Sequence, residues 1–279
     1  MKKITGWIVV VLIFLSPLFN QRSIAQEKWI YDKSIQKRTP VPYPYLREAD
    51  VMWAKKIWRV IDLRQKKNFS LYFPTKPIGD RMSLIDVILG EIESGTVNAY
   101  SADVGDDMTV MITQADIDKK FGAGADTIQV QDANGQLQTQ IIQNERETSE
   151  IKQYIIQEVW FFDKKLSALK VRILGLCPIR ISTNAETGAQ ERRKVFWIYY
   201  PDFRITFANH EAYNPYNDAQ KISYDDLFLQ RRFSSYIIAE SNVYNNREVT
   251  EYEQGRAALL ESDRIKQSIF NMEQDLWEY

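Results

Sequence analysis

One cysteine, one histidine and the lack of any apolar run long enough to span a bilayer set the first limits on this chain of 279 residues. Cys177 has no partner for an internal disulfide, so the fold must rest on a packed core. His210 is the sole histidine. His210-Glu211 is not followed by a second histidine four residues on, which removes the zinc-protease pattern, and further zinc ligands do not cluster around it. A serine triad would need His210 as its base, yet no Gly-x-Ser-x-Gly elbow occurs. Cys177 lies between Leu176 and Pro178 in an apolar stretch, the setting of a buried, inert thiol. Glycine is sparse, and Gly122-Ala123-Gly124 lacks both the third glycine and the Lys-Ser/Thr of a phosphate loop, so it reads as a helix stop followed by a loop. Neither sign of charge dominates, with 36 Lys and Arg against 37 Asp and Glu. That leaves no basic excess for nucleic acid. No catalytic, cofactor-binding or metal-ligating residue is assigned on this basis.

What the chain does have begins at its amino end. Lys2 and Lys3 precede apolar residues 4–15, then Ser16-Pro17, then Ser23-Ile24-Ala25 with small residues at the two positions a signal peptidase reads. This pattern predicts a secretory signal peptide over residues 1–25, cut between Ala25 and Gln26. The alternative is an uncleaved anchor, but an apolar run of about 12 residues falls short of the roughly 20 needed to span a bilayer. No cysteine near the cut is available to carry a lipid. Loss of Lys2, Lys3 and Arg22 tips the balance slightly acidic. The remainder suits one large domain or two small ones. The 7 Trp, 15 Tyr and 13 Phe of the whole chain fill cores first, but Trp, Tyr and Arg also anchor interfaces.

Along the chain, residues 26–46 are polar and then carry Pro40, Pro42 and Pro44, which favour an extended arm. Residues 47–67 read as an amphipathic helix with Trp53, Ala54, Ile57, Val60 and Ile61 on one face. A short helix over 81–93 is closed by Gly95. Residues 96–100 and 109–112 read as short strands, and Thr113 with Asp116 opens a small helix that ends at Gly122. Residues 128–130 and 137–141 alternate around Asn134-Gly135, a hairpin signal. Longer strands are expected at 154–162, 166–174 and 194–200, with an antiparallel turn at Asp163-Lys164-Lys165 and with Gly175 and Pro178 marking a bulge or an edge. Ser223 with Asp226 caps a helix expected to carry Leu229, Phe233, Tyr236 and Ile237 on one face. A long helix over 250–277 bears Ala258, Ser262, Ile265, Ile269, Met272 and Leu276 as a narrow seam, either core or a docking stripe. The fold class expected is α+β, a central antiparallel sheet flanked by N-terminal and C-terminal helices, in a single domain over 47–279.

Carboxylates offer one catalytic alternative. Two of them suffice for glycoside hydrolysis, and Asp202, Glu211, Asp218, Asp225 and Asp226 share one polar, aromatic region. A periplasmic glycan hydrolase is therefore the competing reading. The plainer account places Asp225 and Asp226 in the first turn of a helix, where they offset its dipole.

Longer strings are more specific. Tyr43-Pro44-Tyr45-Leu46-Arg47-Glu48-Ala49-Asp50-Val51-Met52-Trp53, Trp58-Arg59-Val60-Ile61-Asp62-Leu63-Arg64 and Leu71-Tyr72-Phe73-Pro74 resemble the GldN/PorN family, the N component of the Bacteroidetes gliding-motility and type IX secretion machinery. So do Trp197-Ile198-Tyr199-Tyr200-Pro201-Asp202-Phe203-Arg204, His210-Glu211-Ala212, Asn214-Pro215, Ser223-Tyr224-Asp225-Asp226-Leu227-Phe228 and Phe233-Ser234-Ser235-Tyr236. The resemblance implies a non-enzymatic periplasmic protein held at the outer membrane by a lipoprotein, the K component (GldK/PorK). With neighbouring copies it would build a ring and meet the periplasmic part of the motor component (GldM/PorM). It carries no catalytic residues and no cofactor. A ring requires two different surfaces on each subunit. The candidates are the proline arm with the helix expected after it (Tyr43, Tyr45, Arg47), the aromatic block from Trp197 to Tyr216 (Tyr213, Tyr216), and the seam of the last helix (Ile265, Ile269, Met272). Trp53 and Trp58 are expected in the core.

Overall fold

The segment expected to form the opening helix is a strand. In the computed structural model, which describes residues 38–131, 137–144, 146–183, 188–217 and 219–276, β1 runs Val51–Asp62. It lies between two antiparallel neighbours, β5 (Ile151–Asp163) and β11 (Tyr236–Glu240). The helical reading fails for a physical reason. From Ile57 onward both faces of the strand are covered, so alternation vanishes and apolar residues fall at 57, 58, 60 and 61, a spacing that a helix also satisfies. Alternation survives only from Val51 to Lys56, where half-buried and exposed residues take turns. The signal peptide with its Ala25/Gln26 cut, the first part of the arm, Asn134-Gly135, Asp218 and Trp277 lie outside the described residues.

The α+β class holds. The sheet has the order β11-β1-β5-β6-β8-β2, with β7 also paired to β6. Here β2 is Ala99–Ser101, β6 Ala168–Thr183, β7 Gln190–Lys194 and β8 Phe196–Tyr199. Every pairing is antiparallel. Asp163 closes the β5–β6 hairpin by accepting from the amides of Lys165 and Leu166 at 3.0 and 3.3 Å, which is why that short polar connection turns the chain. Gly175 sits at a register shift between β5 and β6. A Cβ there would lie 2.9 Å from Met108 Sδ and 3.1 Å from Trp197 Cε3, so any other residue must displace its neighbours. Pro178 marks no edge. It falls between the β6 residues paired with β8 (Gly175, Leu176) and those paired with β7 (from Ile179), where its carbonyl accepts from the amide of Val195, the residue joining those two strands, at 3.0 Å. The expected strand at 109–112 reduces to one bridge, Tyr100 to Met111. A separate hairpin pairs β3 (Gly124–Gln131) with β4 (Leu137–Asn144).

A one-turn helix, α1 (Phe69–Tyr72), follows β1. Next come α2 (Leu84–Glu93), capped by Ser83, and α3 (Gln114–Phe121), capped by Thr113 and stopped at Gly122 with φ +68°, both much as the sequence predicts. An unexpected helix, α4 (Tyr200–Asn209), occupies the aromatic block, with proline in its first turn where the missing N–H costs nothing. After the short pair β9 (Glu211–Ala212) and β10 (Ile222–Ser223), Ser223 and Asp226 form the capping box of α5 (Tyr224–Leu229).

That helix does not reach Phe233, Tyr236 or Ile237. The amides of Arg231 and Arg232 fold back onto Phe228 O and Leu227 O, Arg231 turns to φ +52°, and Asn68 clasps both backbone groups of Ser234. Tyr236 and Ile237 then enter β11. The last helix, α6 (Arg256–Asp275), starts later than expected, because Val249–Glu251 form a 3₁₀ turn and Gly255 takes φ +58°.

Alternation across β1 divides the core. Ile57 and Ile61 point to the face bearing the helices. Ile61, Tyr154, Ile156 and Leu176 meet α2, α4 and α5 through Ile88, Phe207 and Phe228, while Ile57 and Ile237 meet Ile265 and Ile269 of α6. Trp58 and Val60 point the other way, to Ile155, Cys177, Trp197 and Ile238 with Tyr100 and Met108 against them. Trp58 is core as expected, and Trp53 is half-buried against the α6 cluster.

Candidate functional site

The described part of the arm, residues 38–47, lies along the body rather than free of it. Proline has no N–H, so a proline-alternating segment offers mainly carbonyls and ring faces, and the groups that meet it are arginines. Arg204 donates to Val41 O at 2.7 Å and Arg172 to Pro44 O at 2.6 Å. Between them the Tyr43 ring lies 4.2 Å from the Arg204 guanidinium carbon and 5.1 Å from that of Arg172, both within cation–π range. Burial pushes the Tyr43 hydroxyl above its usual range, and Arg204 works against that shift. Arg38 reaches Asp226 at 3.1 Å. At the root of the arm Arg47 grips Asp50 through two bonds of 2.9 and 3.0 Å. Tyr45 stands 90 % exposed beside this contact.

Arg204 is fixed from below. Its Nε and Nη2 donate to the two oxygens of Asp225 at 3.0 Å each, and the Tyr200 hydroxyl donates to Asp225 Oδ1 at 3.1 Å. Tyr200 and Arg204 come from α4 and Asp225 from α5, helices bound to each other by the rings of Tyr200, Phe207 and Phe228. Sequence reasoning placed Arg172 at no contact and reached Arg204 only as part of the candidate block 197–216. The available signal was an arginine set inside an apolar strand or between aromatic residues.

A second surface surrounds Tyr213 and Tyr216. Asn214, itself buried, donates to Gln220 O at 3.1 Å and accepts from the Tyr216 amide at 3.1 Å. Tyr216 is 93 % exposed, and the exposed ring of Tyr213 lies 5.6 Å from the Arg81 guanidinium. The α6 seam is arranged differently. Ile265 and Ile269 are buried on this chain's own β1 and β11 and Met272 is half-buried, whereas Leu259, Leu260 and Phe270 face outward and are exposed.

Among the described residues, several groups with catalytic potential are bound up in structure. Burial pushes the Cys177 thiol up to about 12, and His210 Nδ1 lies 2.8 Å from Thr206 O in the last turn of α4. Asp225 is held by Arg204, Asp226 closes the capping box, Asp202 is exposed and Glu211 lies in β9. One buried acid escaped sequence reasoning, although a charge inside the apolar run of β5 was the clue. Glu158 accepts from Trp160 Nε1 at 2.9 Å and from Arg231 Nη2 at 3.2 Å, and Arg231 stacks on the Phe233 and Trp160 rings. A depression of about 420 Å³ on the other sheet face is lined by Lys56, Tyr100, Asp107, Gln157 and Tyr199 among others. Among the described residues no group of His, Cys, Asp and Glu is placed to hold a metal ion, and no helix is long and apolar enough to cross a membrane.

Comparison with known proteins gives one family. Residues 46–278 match the model described as gliding motility associated protein GldN. No curated protein matches the chain. The matched span takes in Arg172, Arg204 and the Tyr216 turn and begins just after Tyr45.

Proposed function

The chain belongs to the GldN family of gliding motility associated proteins, and from that premise we propose that it is a non-enzymatic scaffold subunit of the type IX secretion and gliding-motility complex. In this reading it works in the periplasm and binds the outer-membrane lipoprotein K component (GldK/PorK). Together with neighbouring copies it forms a ring, and it touches the periplasmic part of the motor component (GldM/PorM). The observation that supports the reading is the Tyr216 turn, where buried Asn214 accepts from the Tyr216 amide and the Tyr216 ring stands exposed. A large ring presented on a rigid support loses little entropy on binding, which is how aromatic residues anchor interfaces. The leader pattern of residues 1–25 supports export. Candidate contacts are Tyr43, Tyr45 and Arg47 in the arm, Tyr213 and Tyr216 in the turn, and the outer face of α6 beside Met272.

Size-exclusion chromatography of solubilised outer membrane tests this. The chain is expected in a high-mass fraction together with a lipoprotein. Elution as an isolated monomer, or turnover of a glycan by the purified chain, would end the proposal.

A further inference from the structure

We propose that Arg172 and Arg204 form a socket for an extended proline–tyrosine segment, and that in the assembled protein this segment is the 38–47 arm of a second copy. The inference rests on the subunit role proposed above and specifies one of its contacts.

The socket is built before the arm arrives. Arg204 is locked by Asp225 and Tyr200 in a pair that is almost fully buried, and Arg172 lies 5.4 Å from the Phe161 ring; none of these partners belongs to the arm. The arm, by contrast, is lightly held. Of residues 38–47 only Pro40, Tyr43 and Leu46 are half-covered and the others are exposed, so little apolar burial binds it to its own body. Its contacts are two carbonyls, one ring and the Arg38–Asp226 pair. An identical arm from another copy makes the same contacts. Exchange therefore costs no contact energy, only local concentration, which an ordered assembly restores.

The geometry of the root favours such a pivot. Arg47 and Asp50 hold the 3₁₀ turn before β1, and Lys164 N donates to Asp50 O at 2.8 Å, so the body is fixed from Asp50 onward whatever the arm does. Upstream of Arg47 the nine residues back to Arg38 reach about 30 Å when extended, at roughly 3.3 Å each. That distance is comparable to the diameter of a small domain. Arm and socket are also two different surfaces of one chain, the requirement for a head-to-tail contact that closes into a ring.

Photo-crosslinking tests the exchange in the full chain. A benzophenone-bearing amino acid replaces Val41, whose carbonyl meets Arg204 while its side chain is exposed. Irradiation is carried out on the concentrated free chain and on the high-mass membrane fraction. A chain-to-chain product attached near Arg172 or Arg204 in either sample is the expected result. Tyr43→Ala or Arg172→Ala should reduce it about tenfold, the loss of one good contact. Crosslinks confined to single chains in both samples would overturn the exchange, as would attachment to a different polypeptide or no product at all. The ring reading fails separately, through absence of the chain from the high-mass fraction.

Discussion

Arg204 sets the Nε–Nη2 edge of its guanidinium against the two oxygens of Asp225, with side chains 7 % and 5 % exposed. A buried pair of this kind adds little net stability, but breaking it strands a charge at a cost of about 3 to 5 kcal/mol. Arg204→Ala and Asp225→Leu should each lower the free energy of unfolding by about that amount. The double variant Arg204→Met, Asp225→Leu should lose far less. Urea titration of the three proteins checks this, and equal losses in all of them would show that packing rather than charge governs the site.

Acid should reveal Asp62. Hydrogen bonds from Arg64 hold its carboxyl down at about 2 against the opposing effect of burial, with Gln153 assisting at 3.1 Å. The folded value lies below the reference value of 3.8, so the stabilisation is complete above about pH 4 and drains away as pH falls through 2. The excess stability of the wild type over Asp62→Asn should shrink over that window by at most about 2 kcal/mol, less whatever solvent screens at the exposed Arg64. Guanidinium titrations at half-unit pH steps measure it, and a difference that stays constant from pH 5 to 2 would refute the assignment.

Gly175→Ala places a methyl against Met108 and Trp197. The Met108 thioether can swing aside, but the Trp197 ring is fully buried and cannot. Overpacking of this sort costs about 1 to 3 kcal/mol. Adding Met108→Ala should restore part of the loss and leave the Trp197 part, as read from denaturation midpoints.

The two sides of α6 should respond oppositely. Ile269 is buried under β1 and β11, so Ile269→Ala is expected to cost about 2 to 5 kcal/mol, the usual range for such truncations. Phe270, 50 % exposed, should change stability by no more than about 0.5 kcal/mol when cut to alanine. Paired thermal melts decide this, and a large loss at Phe270 would mean that the outward face is covered.

Tyr216→Ala should leave the melting temperature where it is, since the ring touches little of its own chain. Assembly mass should fall. If the high-mass fraction keeps its full share of the chain, the turn is not a contact.

Local signals were legible and long-range ones were not. Thr113 with Asp116, Ser223 with Asp226 and Gly122 announced helix ends that the structure contains, because capping is settled within four residues. The strands around Asp163-Lys164-Lys165 were equally plain. β1 was misread because a strand covered on both faces loses its period. The helix α4 was missed because its aromatic residues, buried on several sides, show no clear stripe. Tyr236 and Ile237 matched a helical spacing that Asn68, far away in sequence, overrides by clasping Ser234. Of the candidate contacts, Tyr45 and Tyr216 stand exposed in the structure, but the arginine socket depends on α4 and β6 meeting the arm, which no local pattern encodes.

Strand order carries a last consequence. β1, 12 residues long, is flanked by β5 and by β11, which is made near the end of the chain. A polypeptide emerging amino end first keeps one side of β1 bare until residues 236–240 follow, with open backbone groups ready to pair wrongly. A premature stop codon just before residue 236 would remove this edge strand and leave β1 itself as the open rim of the sheet. Residues 236–240 thus turn a 12-residue edge into an interior strand.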